Sequence, residues 1–343
     1  MKNKIFIGFC LLLLCNILFA QEPKIQILDS SQKVSYRGLS VVTDNIVWVS
    51  GSNGTVGRSI DGGKNWGWMK VKGYEKRDFR DIAAFDKNTA IVLAVAEPGL
   101  ILKTKDGGKN WYKVFEDTTK GVFIDAMDFT GNKGYAIGDP LDQHLYLLKT
   151  TDFGEHWRKI KPENTDPIFA ANEAFFASSG SNIYAGKKSL KNKLLFVSGG
   201  SATRLFSMPS LSAMPLELQL KMGGSSGANS IAISPNEKYG MIVGGDYAAD
   251  TMATANSNII IFRKGYIEMI TPETAPHGYR SCVTYINENT LLTCGTSGID
   301  ISKDGGKNWT LISPLSFHVC ATAKKGNTVY LAGSTGKIAK LIL

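Results

Sequence analysis

The chain has 343 residues, of which 43% are hydrophobic, and it carries a formal net charge of +9. This length allows one large domain or two medium ones. Abundant glycine, frequent aromatic residues and the absence of a long stretch at helical period favour an all-β fold. Lysine and arginine form no run of the nucleic-acid-binding type, so the sequence predicts no DNA or RNA partner.

The first segment has the pattern of a signal peptide. Two lysines precede an apolar run that ends at Leu18, and Ala20 is a small residue before the expected cut. The run is shorter than the ~20 residues of a membrane-spanning helix. Removal of residues 1–20 would leave residues 21–343 with a charge of +7 and no transmembrane anchor. We therefore expect export to the periplasm or the extracellular space; Cys15 offers a lipoprotein alternative, but a bulky leucine precedes it.

Further along the chain, one eight-residue motif occurs four times, as SIDGGKNW, TKDGGKNW, TTDFGEHW and SKDGGKNW. Its fixed positions are Asp61 and Trp66, Asp106 and Trp111, Asp152 and Trp157, and Asp304 and Trp309. The aspartates are 45, 46 and then 152 residues apart, so the last interval holds three periods. A β-rich repeat of this length is typical of propeller blades.

The residues before each motif read as three strands separated by turns. Counting such units along the chain gives seven, of which the fourth and fifth lack the motif and the last is short by one strand. Lys24–Asp29 precedes the first unit and can supply that missing strand, which would remove the exposed edges of an open array. The sequence therefore predicts a single seven-bladed β-propeller over residues 21–343.

The repeated motif has a structural use. Between the third and fourth strands of a blade, Asp61 can accept backbone N–H groups, and Gly62 and Gly63 can adopt dihedrals that other residues resist. Trp66 can then pack against the sheet. One residue type that serves four equivalent turns is a structural device, so we expect none of these aspartates to be catalytic.

The pattern Ser/Thr-x-Asp-x-Gly-x-x-Trp resembles the Asp-box of bacterial neuraminidase repeat (BNR) proteins. The whole mature chain is similar to the photosystem II assembly/stability-factor-like BNR propellers of the sialidase-like superfamily. The resemblance implies an exported, non-catalytic propeller that binds a protein partner or an anionic ligand, and it implies no cofactor. Asp-boxes also occur in sialidases, and no photosynthetic role follows from the sequence.

Propeller topology places the starts of the first strands on the face opposite the Asp-boxes. In register, these starts are Arg37, Arg80, Ile124, Asn172, Asn229, Arg280 and His318. Four of them come from units that become neighbours when the ring closes, so Arg37, Arg80, Arg280 and His318, with Asn229, are the predicted partner-binding residues. Arginine binds carboxylates and phosphates well. Alternatively, each arginine pairs with a nearby carboxylate such as Asp81 or Asp125, or is solvated.

A glycoside hydrolase is the alternative function. Sialidases use three arginines, but YRGL stands where their Phe-Arg-Ile-Pro motif is expected, and no Tyr–Glu nucleophile pair can be assigned. Asp139 and Asp246 are the best candidates for the two carboxyl groups that such chemistry needs. No dinucleotide fingerprint, P-loop or zinc signature is present, and we expect no metal ligands.

Three cysteines follow the predicted signal peptide: Cys282, Cys294 and Cys320. Cys282 and Cys294 lie symmetrically about Glu288, so a hairpin that turns there would place them opposite each other. Either a cross-strand disulfide or two small buried side chains fits this pattern.

Overall fold

The computed structural model describes residues 22–160, 169–209 and 215–343. The predicted signal peptide lies outside these ranges. Within them, the only helices are the 3₁₀ turns Tyr247–Ala249 and Ser334–Gly336. No helix of the described residues has the length and apolar character needed to cross a membrane.

The described strands form seven sheets, each with a run of four antiparallel strands, which we number as blades 1 to 7 along the chain. Blade 1 comprises Tyr36–Val41, Val47–Gly51, Thr55–Ser59 and Gly67–Lys70. Blade 2 comprises Phe79–Ala84, Ala90–Ala94, Gly99–Thr104 and Tyr112–Asp117. Blade 3 comprises Ile124–Thr130, Lys133–Leu141, His144–Thr150 and Arg158–Ile160.

Blade 4 comprises Ile183–Ala185, Leu194–Val197, Arg204–Met208 and Leu216–Glu217. Blade 5 comprises Ser226–Ile233, Tyr239–Asp246, Ser257–Arg263 and Tyr266–Ile270, extended at its inner edge by Gly199–Gly200 and Glu173–Ala174. Blade 6 comprises Cys282–Tyr285, Leu291–Gly295, Gly298–Ser302 and Thr310–Ser313. Blade 7 comprises Val319–Thr322, Val329–Ala332, Ile338–Ile342 and Lys24–Asp29.

The N-terminal strand closes the ring, as predicted. Lys24–Asp29 pairs antiparallel with Ile338–Ile342, with Lys24 opposite Ile342. Blade 7 is thus made from both ends of the chain, and its outer strand is the segment that a linear array would lack. The seven-bladed, all-β prediction is confirmed.

The core lies between the blades. Trp48 and Val56 of blade 1, for example, are fully buried and pack with Phe79 and Val92 of blade 2. Alternate side chains of each strand point to opposite faces of its sheet, so every blade contributes one apolar face to each of its two neighbours. This packing holds the inner strands around a central channel.

The Asp-boxes have the hydrogen bonds that the sequence predicted. The Asp61 carboxylate accepts from the Ser59 hydroxyl at 2.8 Å and from the Asn65 backbone at 2.9 Å. The same bonds recur around Asp106, Asp152 and Asp304. The Asn65 backbone and side-chain N–H groups hold the pKa of Asp61 down to about 2. The carboxylate therefore stabilises each turn, which is the structural role that the sequence predicted.

Each box also bonds to the turn between the first two strands of its own blade. The N–H after the aspartate reaches an asparagine carbonyl oxygen in every case, at Asn45, Asn88, Asn132 and Asn289. The boxes and the first turns therefore share one face of the ring, which we call the box face. The starts of the first strands lie on the opposite face, which we call the mouth face.

The fourth unit differs from its prediction. The inner strand of blade 4 is Ile183–Ala185, and Asn172 does not begin it. Glu173–Ala174 instead pairs with Gly199–Gly200, which pairs in turn with the inner strand of blade 5. The predicted start of blade 4 was wrong because the connection between blades 3 and 4 carries an insertion. Part of that insertion enters the channel.

Candidate functional site

A bulge in the inner strand places the predicted site residues. In blades 1, 2 and 5 the pairing skips Arg37, Arg80 and Asn229. In blade 3 it skips Asp125, so the equivalent residue there is Asp125 and the predicted Ile124 is one position early. A bulge leaves one residue unpaired and re-aims its side chain.

Arg37, Arg80 and His318 lie near one another at the mouth face. Burial is the main reason that the pKa of His318 falls to about 3, and the charges of Arg37, Lys337 and Arg80 lower it further. Arg80 is about one-third exposed and its Nε donates to Asp78 at 2.8 Å. Burial and the Arg80 charge lower the pKa of Arg37. The ring closure thus brings the positive charges of Arg37, Arg80 and Lys337 close to the uncharged imidazole of His318.

Arg280 does not present its charge with them. Its side chain is fully buried and donates from Nε to Asp300 at 2.6 Å. Its other nitrogens donate to Ser297 and to the carbonyl oxygens of Tyr279 and His277. The prediction that the Arg280 guanidinium converges with those of Arg37 and Arg80 on a ligand is wrong, because Asp300 and the neighbouring loops use its donors.

Asn229 is also engaged within the protein. Its Oδ1 accepts from the Tyr279 hydroxyl at 3.0 Å, and its Nδ2 donates to Gly227. Tyr279 lies close enough to Arg37 for their charges to interact, and its ring meets the Tyr247 ring edge to face at 6.4 Å. Tyr279 therefore links the arginines to an exposed aromatic side chain.

Three large apolar side chains are exposed on two loops of blade 5 at the mouth face, and one of them, Tyr247, contacts Tyr279. Met222, Tyr247 and Met252 are each more than 40% exposed. Their two loops are tied together by backbone bonds, from Lys221 to Ala255 and from Tyr247 to Ser225. The apolar patch formed by Met222, Tyr247 and Met252 is thus held in place by its own loops.

Residues 175–182, which we call the plug, cross the channel beneath the arginines. The carbonyl oxygen of Ser178 accepts from Nη1 of Arg37 at 3.1 Å, in blade 1. The Ser179 hydroxyl donates to the carbonyl oxygen of Ser281 at 2.7 Å, in blade 6, and the Ser181 hydroxyl donates to Ser230 at 2.7 Å, in blade 5. One segment therefore joins inner strands from across the ring and crosses the channel.

Buried carboxyl groups hold the other side of the plug. Asp139 accepts from the Phe175 backbone at 2.8 Å, and burial raises the pKa of Asp139 to about 6. Asp81 packs against Gly180, and burial raises its pKa to about 8. Asp125 is fully buried and neither of its oxygens has a well-formed hydrogen bond, although the Asp139 and Ala177 N–H groups lie near it. Burial, and then the Asp139 charge, raises the pKa of Asp125.

The two carboxyl groups of the hydrolase alternative have different surroundings. Asp139 bonds to the plug, whereas Asp246 pairs with Lys221 at 2.8 Å and accepts from Ser225 at 2.7 Å. These partners lower the pKa of Asp246. Both groups thus already serve internal contacts. Among the described residues, no group of three or more His, Cys, Asp or Glu side chains is arranged to hold a metal ion.

Sequence reasoning missed the plug, Tyr279 and the apolar patch. The stretch ASSGSN at 177–182 was a usable signal, since small residues suit a segment that must fit between inner strands. Tyr279 immediately precedes Arg280, as Tyr36 precedes Arg37, and the repeat could have indicated its position. The patch residues lie in separate loops and carry no sequence signal.

Comparison with known proteins agrees with this fold. Residues 67–171 match the family model described as "Photosynthesis system II assembly factor YCF48". No curated protein matches the chain in sequence.

Several solved structures superpose on the chain. YCF48 bound to D1 peptide is 16% identical, with 94% of this chain and 97% of that chain covered and a TM-score of 0.64. YCF48 from Cyanidioschyzon merolae is 17% identical, with 93% and 98% covered and a TM-score of 0.60. The GH74 xyloglucanase from Xanthomonas campestris is 14% identical with a TM-score of 0.58, and 92% of this chain covers only 53% of that chain. The chain is thus a seven-bladed Asp-box propeller that resembles YCF48.

Proposed function

We propose that this protein is an exported, non-catalytic propeller that binds a protein partner at its mouth face. The observation that carries the proposal is the position of Arg37, which is close to both Arg80 and Tyr279, together with the contact between Tyr279 and Tyr247 of the apolar patch. Arginine, aromatic residues and methionine are the types enriched at protein interfaces. This mixture favours an acidic segment of a protein over a small inorganic anion.

The plug supports a partner that lies across the mouth face. Because residues 175–182 cross the channel beneath the arginines, a ligand at Arg80 meets this segment rather than an open pore. An acidic side chain or a terminal carboxylate would form charge-assisted hydrogen bonds with Arg80, whose side chain is about one-third exposed. Nearby apolar side chains of the same partner would cover Met222, Tyr247 and Met252.

The comparisons support a protein as the partner class. One solved relative is YCF48 bound to D1 peptide, and 67–171 of this chain match the YCF48 family model. At this low sequence identity the similarity establishes the fold but not the partner. The bound peptide of that structure therefore indicates only the kind of ligand. Export, which we propose from the signal-peptide pattern, would place the partner in the cell envelope or outside it.

Capture from the cell envelope tests the proposal. Residues 21–343 serve as bait, as wild type, as the double variant Arg37→Ala/Arg80→Ala, and as the control Arg263→Ala/Lys264→Ala. The control removes two exposed positive charges from the outer hairpin of blade 5. We expect one protein to be enriched by wild type and by the control but not by the mouth variant, with all three baits equally folded. Equal enrichment by all three baits would place the binding surface elsewhere.

A further inference from the structure

Three thiols meet in the space between blades 6 and 7. Cys282 and Cys294 lie opposite each other on the first two strands of blade 6, as the sequence predicted. The Cys282 thiol donates to the carbonyl oxygen of Cys320 at 3.2 Å, and the Cys320 thiol donates to the carbonyl oxygen of Leu292 at 3.7 Å. Each of these two side chains therefore points at the other's blade. All three cysteines are free and buried.

The three thiols are not equivalent. Burial alone would raise the pKa of Cys282, but the nearby Cys320 thiol and the Ser181 and Ser179 hydroxyls outweigh it and lower the pKa to about 6. Burial and contacts with the other two thiols raise the pKa of Cys320. Ser181 Oγ lies 3.5 Å from Cys282 Sγ. The plug thus supplies the polar groups that favour a thiolate at Cys282 and not at its neighbours.

A cavity leads to this cluster from the box face. It has a volume of about 640 Å³, and Ser181 and Cys320 both line it, beside Thr284, Thr322 and Lys324. Ser181, which lines the cavity, has its Oγ 3.5 Å from the Cys282 sulfur. The cavity therefore extends to the Cys320 side chain and to Ser181, the neighbour of Cys282, although the cysteines have almost no exposed surface.

We propose that Cys282 and Cys320 form an oxidation site that takes a small hydroperoxide and closes as a disulfide between blades 6 and 7. The Cys282 thiolate attacks one peroxide oxygen, the O–O bond breaks, and the departing alkoxide or hydroxide takes up a proton. The resulting sulfenic acid is attacked by the sulfur of Cys320, whose proton leaves with the sulfenic hydroxyl as water. Two thiols are oxidised and one peroxide is reduced.

The bond would join the inner strands of two blades. Such a bond would close a loop in the chain between Cys282 and Cys320 and so restrict the unfolded state. Cys294 is the third member of the cluster and would keep its thiol. A closed ring with a covalent link would resist unfolding more than the reduced ring.

Peptide mapping separates the competing pairings. Residues 21–343 are reduced, freed of reductant and treated with hydrogen peroxide; remaining thiols are then alkylated and the protein is digested with trypsin without reduction. Cleavage after Arg280, Lys303, Lys307 and Lys324 places Cys282 and Cys294 together in 281–303, and Cys320 in 308–324. We expect 281–303 linked to 308–324, with Cys294 alkylated. A bond within 281–303, or three alkylated thiols in folded protein after treatment, would overturn the proposal.

Three serine variants test the roles. Cys294→Ser should still give the linked peptides. Cys282→Ser should not, and Cys320→Ser should leave a sulfenic acid at Cys282 that dimedone traps. A Cys282→Ser protein that still loses its Cys320 thiol to peroxide would contradict the assignment of Cys282 as the nucleophile. The mapping of the wild-type protein decides the pairing even if a variant fails to fold.

Discussion

Nη1 of Arg37 donates a hydrogen bond to the carbonyl oxygen of Ser178 at 3.1 Å, across 141 positions of the chain. The bond connects the inner strand of blade 1 to the plug, which other bonds connect to blades 3, 5 and 6. The interior of the ring is thus spanned by the chain itself. The plug consequently affects both the stability of the ring and the floor of the proposed binding face.

The first prediction concerns the fit of the plug. Gly180 has φ +66°, and a Cβ there would lie 2.4 Å from the Asp81 carboxyl carbon, whereas Gly131, at φ +59°, faces open space. In both alanine variants the left-handed backbone should lower the free energy of unfolding by about 1–2 kcal/mol. Overpacking against Asp81 should lower the free energy of unfolding of Gly180→Ala by about 1–3 kcal/mol more. Urea unfolding measures the difference, and equal losses in both variants would mean that the plug packs loosely.

The second prediction concerns the buried Asp125. Its pKa is raised in the folded state, so its contribution to stability is complete below its unfolded pKa and is lost as the pH rises through the folded value. Asp139 and Asp81, with pKa values of about 6 and about 8, act in the same direction. The free energy of unfolding should therefore fall between pH 5 and pH 8. Asp125→Asn should reduce this fall and stabilise the protein at pH 8.

Urea unfolding at both pH values measures this effect. The exposed Asp142 provides the control, since Asp142→Asn should leave the pH dependence of wild type intact. If the free energy of unfolding of Asp125→Asn falls with pH as steeply as that of wild type, ionisation of Asp125 does not destabilise the folded ring.

The third prediction concerns a carboxylate that holds blade 4 to blade 5. Glu237 accepts from the backbone of Lys187, Lys188 and Leu190 and from the Tyr184 hydroxyl. Although burial opposes the shift, these donors lower the pKa of Glu237 to about 2. The contribution of Glu237 to the free energy of unfolding is therefore present above its ordinary pKa and is lost as the pH falls towards 2.

Glu237→Gln should therefore cost about 1.5–3 kcal/mol at pH 7. Glu288 lies at the corresponding turn of blade 6 and is exposed, so Glu288→Gln is the matched control. Chemical denaturation at pH 7 compares the two. A loss no larger than that of the control would show that the glutamine amide replaces the carboxylate.

The fourth prediction separates the Asp-box from the partner site. Asp304→Ala removes acceptors for Ser302 and Asn308 on the box face. Because this turn is exposed, the cost should be about 1 kcal/mol. Binding of the captured partner should not change, because the mouth face is on the other side of the ring. A stable Asp304→Ala protein that loses its partner would mean that the box is itself a binding site.

Repetition made the fold predictable from sequence. Asp61, Asp106, Asp152 and Asp304 indicated the period, and the short last unit indicated that Lys24–Asp29 must return to complete a blade. The requirement that a sheet edge be covered then fixed the closure. Each step used residues that have the same structural role in several blades, so a single sequence was enough to predict the fold.

The site was less predictable because its contacts occur once and join distant positions. Arg280 was expected to act with Arg37, but its partner Asp300 lies 20 positions away on another strand of blade 6. The insertion that contains the plug interrupts the repeat near Asn172, so the register of the repeat carried no information about the plug. Arg37, Arg80 and His318 lay in unbroken units, and these three residues lie close together in the structure.

Affinity for the captured partner tests the central claim most directly. We would titrate the purified partner against wild type, Arg37→Ala/Arg80→Ala and the control Arg263→Ala/Lys264→Ala at low and high salt. Loss of two charge-assisted contacts at about 1.5 kcal/mol each predicts at least a tenfold weaker Kd for the mouth variant and a smaller response to salt. The control should match wild type. A mouth variant with wild-type affinity and salt dependence would contradict partner binding at this face.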